Sequence, residues 1–195
     1  MKWYKFDIRD LTNEEYQKWY SLMNSDKQKR VDNIRHADDK KRTVVGEMLS
    51  RKAISEWCGV APHSIVFTTK EHGKPYAEDL SVEFSISHSG DMVVCAVDKK
   101  PIGIDIEQIR PMDLKIAKRI CTDEELQYLF GHAATKQDFT YTEDTEILTR
   151  FFKLWTAKEA YGKLIGNGLA SISKPSKRET KTYIIEKEYI VSVIS

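Results

Sequence analysis

Apolar residues along this chain recur with two different periods, and the switches between them mark out its elements. Residues 3–8 (WYKFDI) read as an opening strand. Thr12 with Glu15 three positions later is a capping-box signature, so a polar helix is expected over 12–23. A basic stretch follows, from Lys27 to Arg30 and ending in Lys40, Lys41 and Arg42. Over 43–57 the residues Val45, Met48, Leu49, Ala53, Ile54 and Trp57 keep helical spacing, so one face packs on a core and Cys58-Gly59 ends the helix.

The middle of the chain changes to period two. A short strand is expected at 65–68 and a turn at Gly73-Lys74-Pro75. Val82, Phe84 and Ile86 alternate with Glu83, Ser85 and Ser87; Ser89-Gly90-Asp91 signals a hairpin, and 92–97 is its return strand. A third alternating run carries Ile102, Ile104 and Ile106. Helices are then expected at 114–120, Asp123–Phe130 and 149–165, with a polar, acidic loop at 131–146 and a stop at Gly166-Asn167-Gly168. Strand-like runs at 182–186 and 189–194 close the chain. Each half thus offers a long helix and strands ending in an apolar run, VVCAV and then IVSVI: an α+β chain with an architectural echo and a boundary near residue 100.

Composition narrows the field. In 195 residues, 31 Lys and Arg nearly cancel 30 Asp and Glu, so the net charge of +1 leaves no electrostatic footprint for nucleic acid or an anionic membrane, and any anion site must be local. Cys58, Cys95 and Cys121 form no CxxC pair, which argues against a zinc cluster or a disulfide framework and for a reduced, cytoplasmic setting. The opening MKWYKFDIRDL lacks a signal-peptide core, and no apolar run approaches a membrane span.

Three constellations could carry chemistry. In the run from Ile102 to Glu107 the isoleucines point to one face, while Gly103, Asp105 and Glu107 share the other. Two carboxylates on one strand face stand roughly 7 Å apart at Cα. Such a pair can grip a hard cation, and oxygen-only ligands favour Mg²⁺. A solvated acidic face explains the same alternation. In the helix around Trp155, Glu159 and Lys163 are neighbours four apart, with Lys158 at their edge; a surface ion pair is the plain alternative. Ser87 and His88 end a strand at a turn, where they either satisfy local backbone groups or donate to a phosphate. Lys74 on its turn, with Lys27, Arg30 and Arg42, adds local positive charge.

Taken together, Gly73-Lys74-Pro, Phe84-x-Ile-Ser-His-Ser-Gly90, Ile102-Gly-Ile-Asp-Ile-Glu107 and Trp155-Thr-x-Lys-Glu-Ala-x-x-Lys163 closely resemble the motifs of the 4′-phosphopantetheinyl transferases, and they cover most of residues 27–168. The chain resembles the surfactin-synthetase-associated type, a monomer of two similar lobes. The resemblance implies lobes at 1–100 and 101–195 related by a pseudo-twofold, each a long helix on a small, mostly antiparallel sheet, with the active site between them. It implies transfer of phosphopantetheine from coenzyme A to a serine of an apo acyl or peptidyl carrier protein, releasing adenosine 3′,5′-bisphosphate. On this reading Asp105, Glu107 and Glu159 hold Mg²⁺, and Glu159 is the general base. Lys158 and Lys163 bind the pyrophosphate and one of them assists the leaving phosphate, while Lys27, Arg30, Arg42, Thr43, Lys74, Ser87 and His88 grip the adenosine 3′-phosphate end. Glu124 or Glu125 supplies a further acid near the metal, and the segment 111–130 faces the carrier, with Met112, Leu114, Leu126 and Leu129 either exposed contacts or core.

The chain departs from the family pattern at Asp91-Met92, where a large aromatic is frequent, at Asn167, where a basic residue is frequent, and in its long acidic loop at 131–146. A nuclease built on Asp105 and Glu107, or a non-catalytic module that binds coenzyme A or a carrier, are the competing readings.

Overall fold

The computed structural model describes residues 1–69, 74–166 and 179–195. Strand β1 (Lys2–Asp7) leads into α1 (Asn13–Ser21), whose start has the expected reciprocal capping box of Thr12 and Glu15. Helix α2 (Ser25–Asn33) occupies what reads in the sequence as a basic stretch; Asn24 caps it and Val31 alone is buried, so it lacks an apolar stripe to announce it. Helix α3 (Ala37–Cys58) begins six residues before its apolar periodicity does. That polar first turn carries Asp38 and Asp39 where the helix dipole favours them, paired with Lys41 and Arg42. Gly59, at φ +72°, ends it as a left-handed cap.

After the small hairpin β2 (Phe67–Thr69) and β3 (Pro75–Ala77) come β4 (Glu83–Ser89), β5 (Met92–Asp98) and β6 (Gly103–Gln108). Of the turn expected at Gly73-Lys74-Pro75, Gly73 lies outside the described residues, as do Asn167 and Gly168, and Pro75 already belongs to β3. Strand β7 (Met112–Asp113) pairs with β8 (Tyr141–Thr142), inside what reads as a loop. Between them lie a 3₁₀ turn, α4 (Ala117–Ile120) and α5 (Asp123–Phe130). Helix α6 (Thr145–Ile165) starts four residues early, capped by Asp144, which accepts from the Glu146 and Ile147 amides. Strands β9 (Thr180–Ile185) and β10 (Tyr189–Ile194) form the last hairpin, whose turn places Glu186 and Lys187 in the left-handed region.

Two three-stranded antiparallel sheets result, ordered β1-β5-β4 and β6-β10-β9. They pack face to face: Met92, Val94 and Ala96 of one meet Ile104, Ile106, Val191 and Val193 of the other, together with Ile102 just before β6. Helix α3 covers the outer face of the first through Val45, Leu49, Ala53 and Ile54 against Val93, Cys95 and Val97. Helix α6 covers the second, with Phe151 and Phe152 by Ile190, and Ala160 and Leu164 by Ile194. Leu114, Leu126 and Leu129 belong to the core under α5, not to an exposed surface, and Met112 packs against it. No helix among the described residues is long and apolar enough to cross a membrane.

Candidate active site

Strand β4 is the edge of the first sheet and β6 the edge of the second, and they run alongside each other in the same direction. Their contact is made by side chains rather than a backbone ladder. Ser85 Oγ accepts from the Ile104 amide at 3.2 Å, Ser87 Oγ donates to Asp105 Oδ1 at 2.7 Å, and Ser89 Oγ donates to Glu107 Oε2 at 2.8 Å. The acidic face of β6 is therefore not a solvated one: Asp105 is 5% exposed.

Gly103 brings α6 onto this face. A Cβ there would lie 1.8 Å from the Ala160 carbonyl oxygen and 2.8 Å from the Leu164 amide nitrogen, so only glycine permits the approach. The close contact delivers Glu159 and Lys163 to the carboxylates. Lys163 Nζ donates to Asp105 Oδ1 at 2.7 Å. Burial pushes the Asp105 carboxyl up, against the pull of Lys163 and Ser87. Burial, then the Asp105 charge, push Glu159 up too, with Lys163 pulling back and Glu107 adding to the rise. These carboxylates disfavour one another's charge, so a cation arriving among them would be stabilised. Among the described residues Asp105 Oδ2 is buried without a hydrogen-bond partner, an oxygen suited to a hard cation. As the side chains stand, no three His, Cys, Asp or Glu among the described residues form a closed metal cage, and Lys163 supplies the positive charge on Asp105.

Beside this cluster lies a cavity of about 260 Å³ lined by Lys27, Arg30, Arg42, Thr43 and His88, with Phe67, Phe84 and Ile86 as apolar wall. Five of the residues expected to grip the nucleotide end thus converge on one concavity. Ile86 and His88 join the two places: Lys163 Nζ donates to the Ile86 carbonyl at 3.4 Å. Burial, then Arg42 and Lys163, hold the His88 imidazole below its ordinary range, so at neutral pH it faces the cavity uncharged. Arg42 donates to the Gly90 carbonyl at 2.6 Å, anchoring the β4–β5 turn beside it.

Three other expected ligands lie elsewhere. Ser87 faces Asp105 instead of the cavity. Lys74 donates to the Ile102 carbonyl and lies 3.6 Å from Glu83. Lys158 is 6% exposed, and its amine sits 2.9 Å from Glu125 Oε1, tying α6 to α5. Glu125, rather than Glu124, is the acid turned inward, and its other oxygen accepts from the Thr122 amide.

Glu47, Arg51 and Phe67 escaped the sequence reading. Glu47 is a buried carboxylate in the cavity wall, gripped by Lys27 and, at 2.7 Å, by Arg51. Arg51 also donates to the carbonyls of Pro62 and Ile65, and Lys27 lies over the Phe67 ring. The available signal is a charged pair four apart, inside an otherwise apolar helix face. Replacing Arg51 by methionine leaves the buried Glu47 with Lys27 alone and removes the donor to the Pro62 and Ile65 carbonyls, and is expected to cost about 3 kcal/mol. Urea unfolding with an unchanged slope and a lower midpoint checks this.

Two adjoining family models match. One, described as 4′-phosphopantetheinyl transferase, N-terminal, matches residues 10–100, and that of the 4′-phosphopantetheinyl transferase superfamily matches 101–188. A 4′-phosphopantetheinyl transferase of Bacillus subtilis is 34% identical over an alignment taking in 95% of this chain and 87% of that protein. The chain belongs to the 4′-phosphopantetheinyl transferase superfamily. Sfp of Bacillus subtilis strain 168 is 36% identical, covering 83% of this chain and 68% of Sfp. The transferase psf-1 of Bacillus pumilus is 40% identical over 74% of this chain, which spans 58% of that relative's length. These relatives place the chain with the Sfp-type transferases, as its motifs imply.

Proposed function

We propose that this 4′-phosphopantetheinyl transferase moves the phosphopantetheine of coenzyme A onto a serine of an apo acyl or peptidyl carrier protein. The observation that carries the proposal is the abutment of an acidic and a basic site: a buried carboxylate cluster at Asp105, and beside it a cavity lined by four cationic or imidazole side chains, Lys27, Arg30, Arg42 and His88. The cavity receives the adenosine 3′-phosphate end, with Thr43 as a further donor. Asp105, Glu107 and Glu159 would hold a Mg²⁺, which when bound offsets the charge of the pyrophosphate.

Glu159 takes the proton of the carrier serine as its oxygen attacks the β-phosphorus; the P–O bond to the α-phosphate breaks, and adenosine 3′,5′-bisphosphate leaves. The raised carboxyl of Glu159 suits a base that must hold that proton. Lys163, part-exposed and adjacent to both sites, stabilises the leaving phosphate. Lys158, engaged by Glu125, holds α5 instead.

All these groups come from one chain, which supports action as a monomer. The two helix-covered sheets support lobes at 1–100 and 101–195 with a pseudo-twofold between them, the site at their seam. Three unpaired cysteines are in keeping with a reducing cytoplasm. Intact-mass measurement of apo-carrier proteins incubated with coenzyme A, with and without Mg²⁺, is expected to show carriers heavier by one phosphopantetheine only when the metal is present. Unmodified carriers alongside phosphodiester cleavage would point to a hydrolase instead.

A further inference from the structure

Ser85, Ser87 and Ser89 occupy alternate positions of β4, and all three hydroxyls reach β6. A hydroxyl has one proton to give. Ser87, buried, gives it to Asp105 Oδ1. Ser89 accepts the Gln108 amide at 3.1 Å, which turns its own proton toward Glu107 Oε2. Among the described residues each carboxylate is thereby engaged through one oxygen. Asp105 Oδ1 takes Ser87 and Lys163, leaving Oδ2 buried and unpartnered. Glu107 takes both Ser89 and Arg110 on Oε2.

We infer that Ser87 and Ser89 are positioning residues that aim Asp105 and Glu107, each occupying one carboxylate oxygen so that the other is presented to a divalent cation. This rests on the metal site proposed above. It gives Ser87 a task beside the nucleotide contact that its motif implies. It also makes the metal site a joint product of both sheets, because the ligands stand on β6 and the groups that orient them on β4. Ser85, which accepts a β6 amide, sets the register that brings each serine to its carboxylate.

Hydrogen-bonding partners of metal-bound carboxylates set affinity, and their removal typically weakens binding about tenfold or more. The test uses the full chain with coenzyme A and Mn²⁺ as probe, free Mn²⁺ being counted by electron paramagnetic resonance. Ser87→Ala and Ser89→Ala are each expected to weaken Mn²⁺ binding by about tenfold. Both are expected to raise the Mg²⁺ concentration needed for half-maximal transfer, with kcat largely recovered at saturating Mg²⁺. Ser→Thr, which keeps the hydroxyl, restores both values. Where Ser87→Ala does not fold, Ser89→Ala at its less buried position decides. Wild-type Mn²⁺ affinity in the alanine variants, with affinity lost in Asp105→Ala, overturns the inference alone. Unchanged affinity in Asp105→Ala overturns the metal site and the inference with it.

Discussion

Glu159→Gln is expected to lower the rate of carrier modification by about 10²–10⁴-fold, the range that a positioned general base contributes. Coenzyme A should still bind, because the cavity lined by Lys27, Arg30, Arg42 and His88 does not draw on Glu159. Glutamine preserves the volume at this half-buried position of α6 and removes both the charge and the proton-accepting oxygen. The desolvation and neighbouring charges that raise the Glu159 carboxyl, from Asp105 and Glu107, vanish as costs in the variant. Its stability should therefore hold or rise, which separates a chemical loss from unfolding. Single-turnover mass measurements alongside calorimetric titration of coenzyme A give the two numbers. A glutamine variant that modifies carriers at the original rate would refute the assignment of the base.

The second large effect concerns packing. Gly103→Ala puts a methyl group 1.8 Å from the Ala160 carbonyl oxygen, inside the backbone of α6. Ordinary overpacking costs about 1–3 kcal/mol because side chains rotate away. Here the obstacle is a helix backbone, whose Ala160 and Leu164 are seated against Ile194. Relief requires α6 to lift off β6, so the loss should reach about 4 kcal/mol or more. For a chain of this size that corresponds to a fall in Tm of about 8–16 °C. Thermal unfolding measures it, and a variant that melts with the parent would show that α6 yields cheaply. The same displacement would withdraw Glu159 and Lys163 from Asp105, so any folded fraction should also transfer poorly.

How far such features could be read from the sequence depended on whether their cause was local. The capping box at Thr12 and the alternation through Ile102, Ile104 and Ile106 are local signals, and both led to the right element. Helix α2 has one buried residue and no apolar stripe, so periodicity could not show it, although Asn24 was present as a cap. The first six residues of α3, five of them charged, are held by ion pairs and the helix dipole, terms that a hydrophobic pattern does not register. In the site, Asp105 and Glu107 share a strand face, and the strand period displays that directly. Glu159 joined them only through a resemblance, since nothing in α6 says which strand it covers. Lys158 and Ser87 show the limit most clearly. Each lies next to the expected place in sequence, yet tertiary packing sets Lys158 in an ion pair with Glu125 and Ser87 in a hydrogen bond to Asp105.

The edge-to-edge meeting of β4 and β6 has a consequence for how the chain survives folding. An open strand edge invites another chain to add to it. Each sheet here has one such edge at the seam, and the other sheet covers it with serine hydroxyls and carboxylates. Either half alone would expose its edge, and with it the isoleucine and valine faces now pressed together. A chain cut within the segment that joins β5 to β6 should therefore yield two fragments that are aggregation-prone apart and soluble when co-expressed. Its two halves would act as chaperones for each other.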